Sequence, residues 1–190
     1  MKTSTVLSSL AKIVRSQFTV LVVLGGLFAT GCQTSAFDVS LNITEQRQTG
    51  GAAGTISTFL PTPYVVIVNL ADEAKIRGIN PPKKAYIKDL SFAITSTARP
   101  VGDIDTFDYL NTVEFFLEPT RVGSQLQKLK VADIPSKEGP AGEISPRLTS
   151  NLDILPLLNE GARMVATATG NLPPDDVSYN GQIVIGVDVF

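Results

Sequence analysis

The chain has 190 residues, 43% hydrophobic and 18% charged, with 16 lysines and arginines against 18 aspartates and glutamates, one cysteine and no histidine. That is enough chain for one domain, and the slight acidic excess argues against nucleic acid as a partner, since its binders gather positive charge on one face. Without histidine there is no histidine-based nucleophilic triad, no histidine zinc site and no side chain best matched to proton transfer near neutral pH.

Met1–Gln17 is polar and carries Lys2, Lys12 and Arg15 with no acid. Phe18–Phe28 (FTVLVVLGGLF) is apolar apart from Thr19 and the pair Gly25-Gly26, and Ala29-Thr30-Gly31 are small residues set before Cys32. A charged start, a short apolar middle and a small-residue cleavage site describe a secretory signal peptide. The apolar run falls well short of the about 20 residues that a membrane-spanning helix needs. Ala29-Thr30-Gly31-Cys32 resembles the lipobox of bacterial lipoproteins, over four positions and with Ala29 where leucine is more usual. The resemblance implies a precursor whose leader, residues 1–31, is removed by the lipoprotein signal peptidase. Cys32 would then be acylated as the first residue of the mature chain. Two or more acyl chains suit stable anchoring, because one myristoyl-length chain holds a protein only marginally. Gln33, not being aspartate, implies transfer to the outer membrane in a Gram-negative cell. Residues 32–36 are then the acylated cysteine and a short tether, and residues 37–190 the domain. Loss of Lys2, Lys12 and Arg15 with the leader leaves 13 basic against 18 acidic residues, a net −5.

Phe37–Thr44 alternates without a fault, with Phe37, Val39, Leu41 and Ile43 on one side and polar residues on the other, which is the pattern of a half-buried strand. Gln48–Thr58 is small and polar and reads as a flexible loop that does not pack. One short helix is expected over Leu70–Arg77. Thr62 and Pro63 offer an earlier start, while the β-branched run Tyr64–Leu70 favours a strand instead, and Gly78 with Pro81-Pro82 beyond it ends the helix. Leu90-Phe92-Ile94, Val113-Phe115-Leu117 and Ile183-Ile185-Val187-Val189 repeat the period of two. Leu126–Ala132, Leu148–Leu155 and Ala162–Thr169 are weaker strands. Turn residues at Arg99–Asp103, Glu138–Gly142 and Gly170–Asp175 separate them. Short strands between turns predict a mainly β fold: an antiparallel β-sandwich, immunoglobulin-like or jelly-roll-like, with one short helix.

Candidate sites are few. Asp103, Asp105 and Asp108 form the densest acidic cluster, but Phe107 stands where an EF-hand loop needs an oxygen ligand. This cluster and Asp175-Asp176 therefore read as solvated turns. Glu114 and Glu118 share the exposed face of one strand, away from any cleft in which paired carboxylates hydrolyse glycosides. Lys83-Lys84, Lys128 and Lys130 read as solvated positions, and Phe190 as the end of a last sandwich strand and not as closing a membrane barrel. No catalytic residue, metal ligand or cofactor is assigned. Phe116 lies opposite the core face between Glu114 and Glu118, so either the helix or a loop covers it or it touches a partner. Together these features favour a non-enzymatic, lipid-anchored interaction module of the cell envelope, held at the membrane through Cys32 to contact an envelope protein or polymer. The alternative is a ligand- or carbohydrate-binding lipoprotein, with calcium as a possible aid.

Overall fold

The structure, a computed structural model, describes residues 36–51, 53–95, 105–136, 139 and 141–190. The leader, Cys32 and Asp103 lie outside this set. Two antiparallel sheets pack face to face. The first has the order β1 (Phe37–Gln48), β9 (Val177–Asp188), β3 (Lys84–Ile94), β6 (Glu143–Ile144). The second has the order β2 (Tyr64–Val66), β8 (Ala162–Gly170), β4 (Leu110–Pro119), β5 (Leu129–Ile134), β7 (Arg147–Leu148). The expected antiparallel sandwich is therefore present, and its first and last strands pair with each other.

Alternation in β1 does what period two requires. Phe37 and Ile43 are buried, Asp38, Ser40, Asn42 and Thr44 are exposed, and Phe37, Val39 and Leu41 lie opposite Val187, Ile185 and Ile183. Apolar cross-strand pairs of this kind stabilise a sheet. The ladder then slips between Ile43 and Gln46, where Glu45 takes a φ of 57°. One extra residue reverses the parity of the rest of the strand, so Gln46 and Gln48 turn inward and are buried.

The segment before β2 packs, contrary to the expectation of a loose loop. Thr55 and Thr58 bridge to Asn171 and Thr167, and the Phe59 N–H donates to the Ala166 carbonyl at 3.0 Å. The segment thus lines the free edge of β8 beyond β2, burying Ile56, Phe59 and Leu60. Phe59 has no exposed surface and sits among Phe92, Phe107, Phe115 and Tyr179, with ring centroids 4.8–5.9 Å away. Its carbonyl also accepts the Tyr179 hydroxyl proton. Periodicity signals apolar burial in a regular element, and a bracing segment of threonines and glycines has no such period.

Tyr64–Val66 is the strand that its β-branched residues favour, and helix α1 (Leu70–Ile76) starts after it. Asn69 is its cap, the side-chain oxygen accepting from the Asp72 N–H at 3.2 Å, the service that Thr62 would give an earlier start. Gly78, at a φ of 67°, ends it. A second helix, α2 (Leu155–Glu160), stands at the end of the stretch expected as a strand over Leu148–Leu155, of which only Leu148 pairs, together with Arg147 before it. Asp153 accepts there from the Leu155 and Ala85 N–H groups, Pro156 occupies the first turn, and Gly161 ends the helix.

Candidate functional site

Phe116 leaves the core face of β4 as expected and is half-buried on the outside of the second sheet. Its cross-strand neighbours are Val165 on β8 and Lys130 on β5. What covers it is a lysine. The Lys128 ammonium, from the segment leading into β5, stands 4.2 Å from the ring centroid, an arrangement in which the ring quadrupole attracts the cation. Helix α1 instead turns Leu70 and Ala74 into the core and lays Arg77 over Phe37 of the first sheet. Glu114 and Glu118 flank the ring, each in an ion pair: Lys130 with Glu114 at 2.7 Å and Arg163 with Glu118 at 2.7 Å. Lys130 reaches Asp133 at 2.9 Å, which also receives Arg147. The Arg147 hydrogen bond, and then that of Lys130, hold the Asp133 carboxyl below its ordinary range. Lys128 and Lys130 are thus structural partners and not merely solvated positions. Phe116→Ala should cost about 1–2 kcal/mol, between the roughly 0.5 of a surface change and the 3–5 of a buried phenylalanine. Urea unfolding of Phe116→Ala, Lys128→Met and the double variant should show a coupling of about 0.5–1 kcal/mol. Additive losses would mean that the cation does not hold the ring.

The acidic turns come together at one end of the sandwich. Asp105, Thr106, Asp108 and Tyr109 approach Pro173, Pro174, Asp175 and Val177 around a cleft of about 420 Å³. Thr106 caps the short 3₁₀ turn Phe107–Tyr109, which sets Asp108 at its start, and Phe107 points into the aromatic core. Phe107 could not have been a ligand for this reason. Across the cleft, Asp176 accepts from the Gly50 N–H at 2.8 Å and pairs with Arg47, and both hold its carboxyl below the usual carboxylate range, the backbone bond more strongly. Gly50 must be glycine here, because a Cβ would lie 2.1 Å from the Asp175 carbonyl carbon.

Asp105 and Tyr109 are both more than nine-tenths buried. Burial, and then the neighbouring Asp105 charge, push the Tyr109 hydroxyl far above the ordinary phenol range. That hydroxyl finds no hydrogen-bond partner among the described residues. A buried polar atom without a partner is costly and calls for an explanation. In the sequence the two turns look unrelated because a long stretch of chain parts them. The tyrosine after the first and the proline pair before the second are the local signs of something more than solvated loop.

No protein-family model matches the sequence, and a search of curated proteins finds no match. The site must be read from its own chemistry.

Among the described residues no three acidic or sulfur side chains converge closely enough to hold a metal ion, whereas calcium takes six to eight oxygen ligands. Millimolar calcium should leave the Tm of the protein unchanged. A ligand that binds only the native state stabilises it, by about 2.7 kcal/mol at a hundredfold excess over its Kd, so a clear calcium-dependent rise would point back to the Asp103–Asp108 turn, of which Asp103 lies outside the described residues.

Proposed function

We propose that the mature chain is a lipid-anchored, non-enzymatic interaction module of the bacterial cell envelope, presenting the acidic cleft to a partner. The observation that supports this reading is where the cleft stands relative to Phe37, the start of the first strand. That strand opens five residues after Cys32, and β1 then runs twelve residues to Gln48, a length of about 36 Å at 3.3 Å per residue. Gln48 lies opposite Val177, which lines the cleft. A domain tethered at Phe37 therefore holds the cleft at its far end, away from the lipid. The lack of histidine and the assignment of the one thiol to lipid also favour binding over catalysis.

Photo-crosslinking in the native envelope tests this. A photoreactive residue at Thr106 or Pro174 of the full chain should give an adduct with an envelope protein or polymer. The same probe at Ser40 or Asn42, on the exposed side of β1, should not. No adduct at the cleft, or equal adducts at all four positions, would overturn the reading. The second reading, a small-ligand or carbohydrate-binding lipoprotein, draws on the Tyr109 hydroxyl, which has no hydrogen-bond partner among the described residues. It predicts that a soluble ligand abolishes the adduct.

A further inference from the structure

Six large apolar side chains are well exposed among the described residues: Val65, Ile67, Ile76, Ile79, Val122 and Phe190. Singly, such residues are ordinary on a protein surface. Here topology collects all six at one end of the sandwich.

That end can be traced from the first strand. Phe37 lies opposite Val187, and Lys84 opposite Asp188, so the start of β1, the end of β9 and the start of β3 are together. Phe190 comes directly after, 90% exposed. Arg77, from the C-cap of α1, lies 4.9 Å over the Phe37 ring, which brings its chain neighbours Ile76 and Ile79 to the same place. The second sheet joins through Ala85, whose carbonyl accepts from Ile154 and whose N–H donates to Asp153, just before α2. From α2 the chain enters β8 at Ala162, opposite Val66 and Pro119. Val65 and Ile67 flank Val66. The Thr120 N–H bonds the Gly161 carbonyl at 3.0 Å, and Val122, 99% exposed, is two residues on. The opposite end, with the cleft, shows no exposed large apolar side chain among the described residues.

The same end is the one from which the chain leads back to Cys32. We propose that it is a lipid-contacting face, with Ile76, Ile79, Val122 and Phe190 entering the headgroup boundary of the bilayer that holds the acyl chains. This inference rests on the lipid-anchored reading. Five residue steps separate Cys32 from Phe37 and reach at most about 18 Å when fully extended, so an anchored domain cannot leave the interface and this end must face it. Charge does not decide the contact. Lys75, Arg77, Lys83, Lys84 and Arg121 are offset there by Asp72, Glu73, Asp153, Glu160 and Asp188, and Glu73 already pairs with Arg77. The attraction is apolar, and it holds on a zwitterionic membrane at high salt.

Because Cys32 is the only native thiol and carries lipid in the mature protein, an introduced cysteine is the sole labelling site. Acylated full-chain protein with a polarity-sensitive fluorophore at Ile79→Cys, Val122→Cys or Phe190→Cys is reconstituted into phosphatidylcholine vesicles containing nitroxide-bearing lipid. The emission should shift to the blue and be quenched at these three positions at low and high salt. Labels at Thr106→Cys and Pro174→Cys should behave as in water. Tether-end labels as water-exposed as the distal ones, or blue-shifted only at low salt, would overturn the inference. Intact mass of the same samples separates the two claims. An acylated Cys32 with unquenched labels sinks the lipid-contacting face alone, and an unmodified Cys32 sinks the anchored reading along with it.

Discussion

Phe59→Ala should lower stability by about 3–5 kcal/mol, the cost of removing a fully buried phenylalanine ring. Three separate contacts depend on this residue's position. Its ring stacks on Tyr179 at 4.8 Å and meets Phe92 and Phe115 edge-on at 4.9 and 5.6 Å. Its main chain closes the free edge of β8, with the neighbouring Thr58 hydroxyl donating to the Ala166 carbonyl at 2.9 Å. Its carbonyl receives the buried Tyr179 hydroxyl, which would otherwise lack a partner at a cost of about 1–3 kcal/mol. Domains are stable by about 5–15 kcal/mol, so about a fifth of the total or more is at stake. Urea unfolding should show a lower midpoint at an unchanged slope, the mark of lost stability without a changed unfolded state. A loss below about 1 kcal/mol, well under the cost of a buried ring, would mean that the segment before β2 does not close the core.

That segment also shows where a sequence stops being legible. The long strands can be read directly, because each buries one face and the alternation of Phe37–Thr44, Val113–Leu117 and Ile183–Val189 records it. Gln46 and Gln48 cannot be placed, since one extra residue at Glu45 reverses the parity and only the observed ladder reveals the slip. Phe59 is hidden because its burial comes from one ring inserted at an edge, without a repeating neighbour. Helix α2 is short, and Leu148–Leu155 carries apolar residues compatible with either period. Its signals are instead local: Asp153 as acceptor, Pro156 in the first turn and Gly161 at the end.

The site divides in the same way. Alternation is enough to put Phe116 on the outer face, but its Lys128 cover depends on the path of a loop. The acidic turns are visible one at a time. Their meeting around Tyr109 is a product of strand order, which brings the start of β4 beside the end of β8. Composition alone has no means of joining them.

The proposed envelope role depends on acylation of Cys32. The full chain, expressed in a bacterial host with an alkyne-tagged fatty acid, should incorporate the tag, and its mature form should begin at Cys32. Cys32→Ser should lose the tag entirely and retain Met1–Gly31, since the acylated thiol is what the lipoprotein peptidase acts on by the lipobox resemblance. The two proteins should differ in an all-or-none way. A Cys32→Ser chain that remains labelled, or a wild-type chain that keeps residues 1–31, would contradict it.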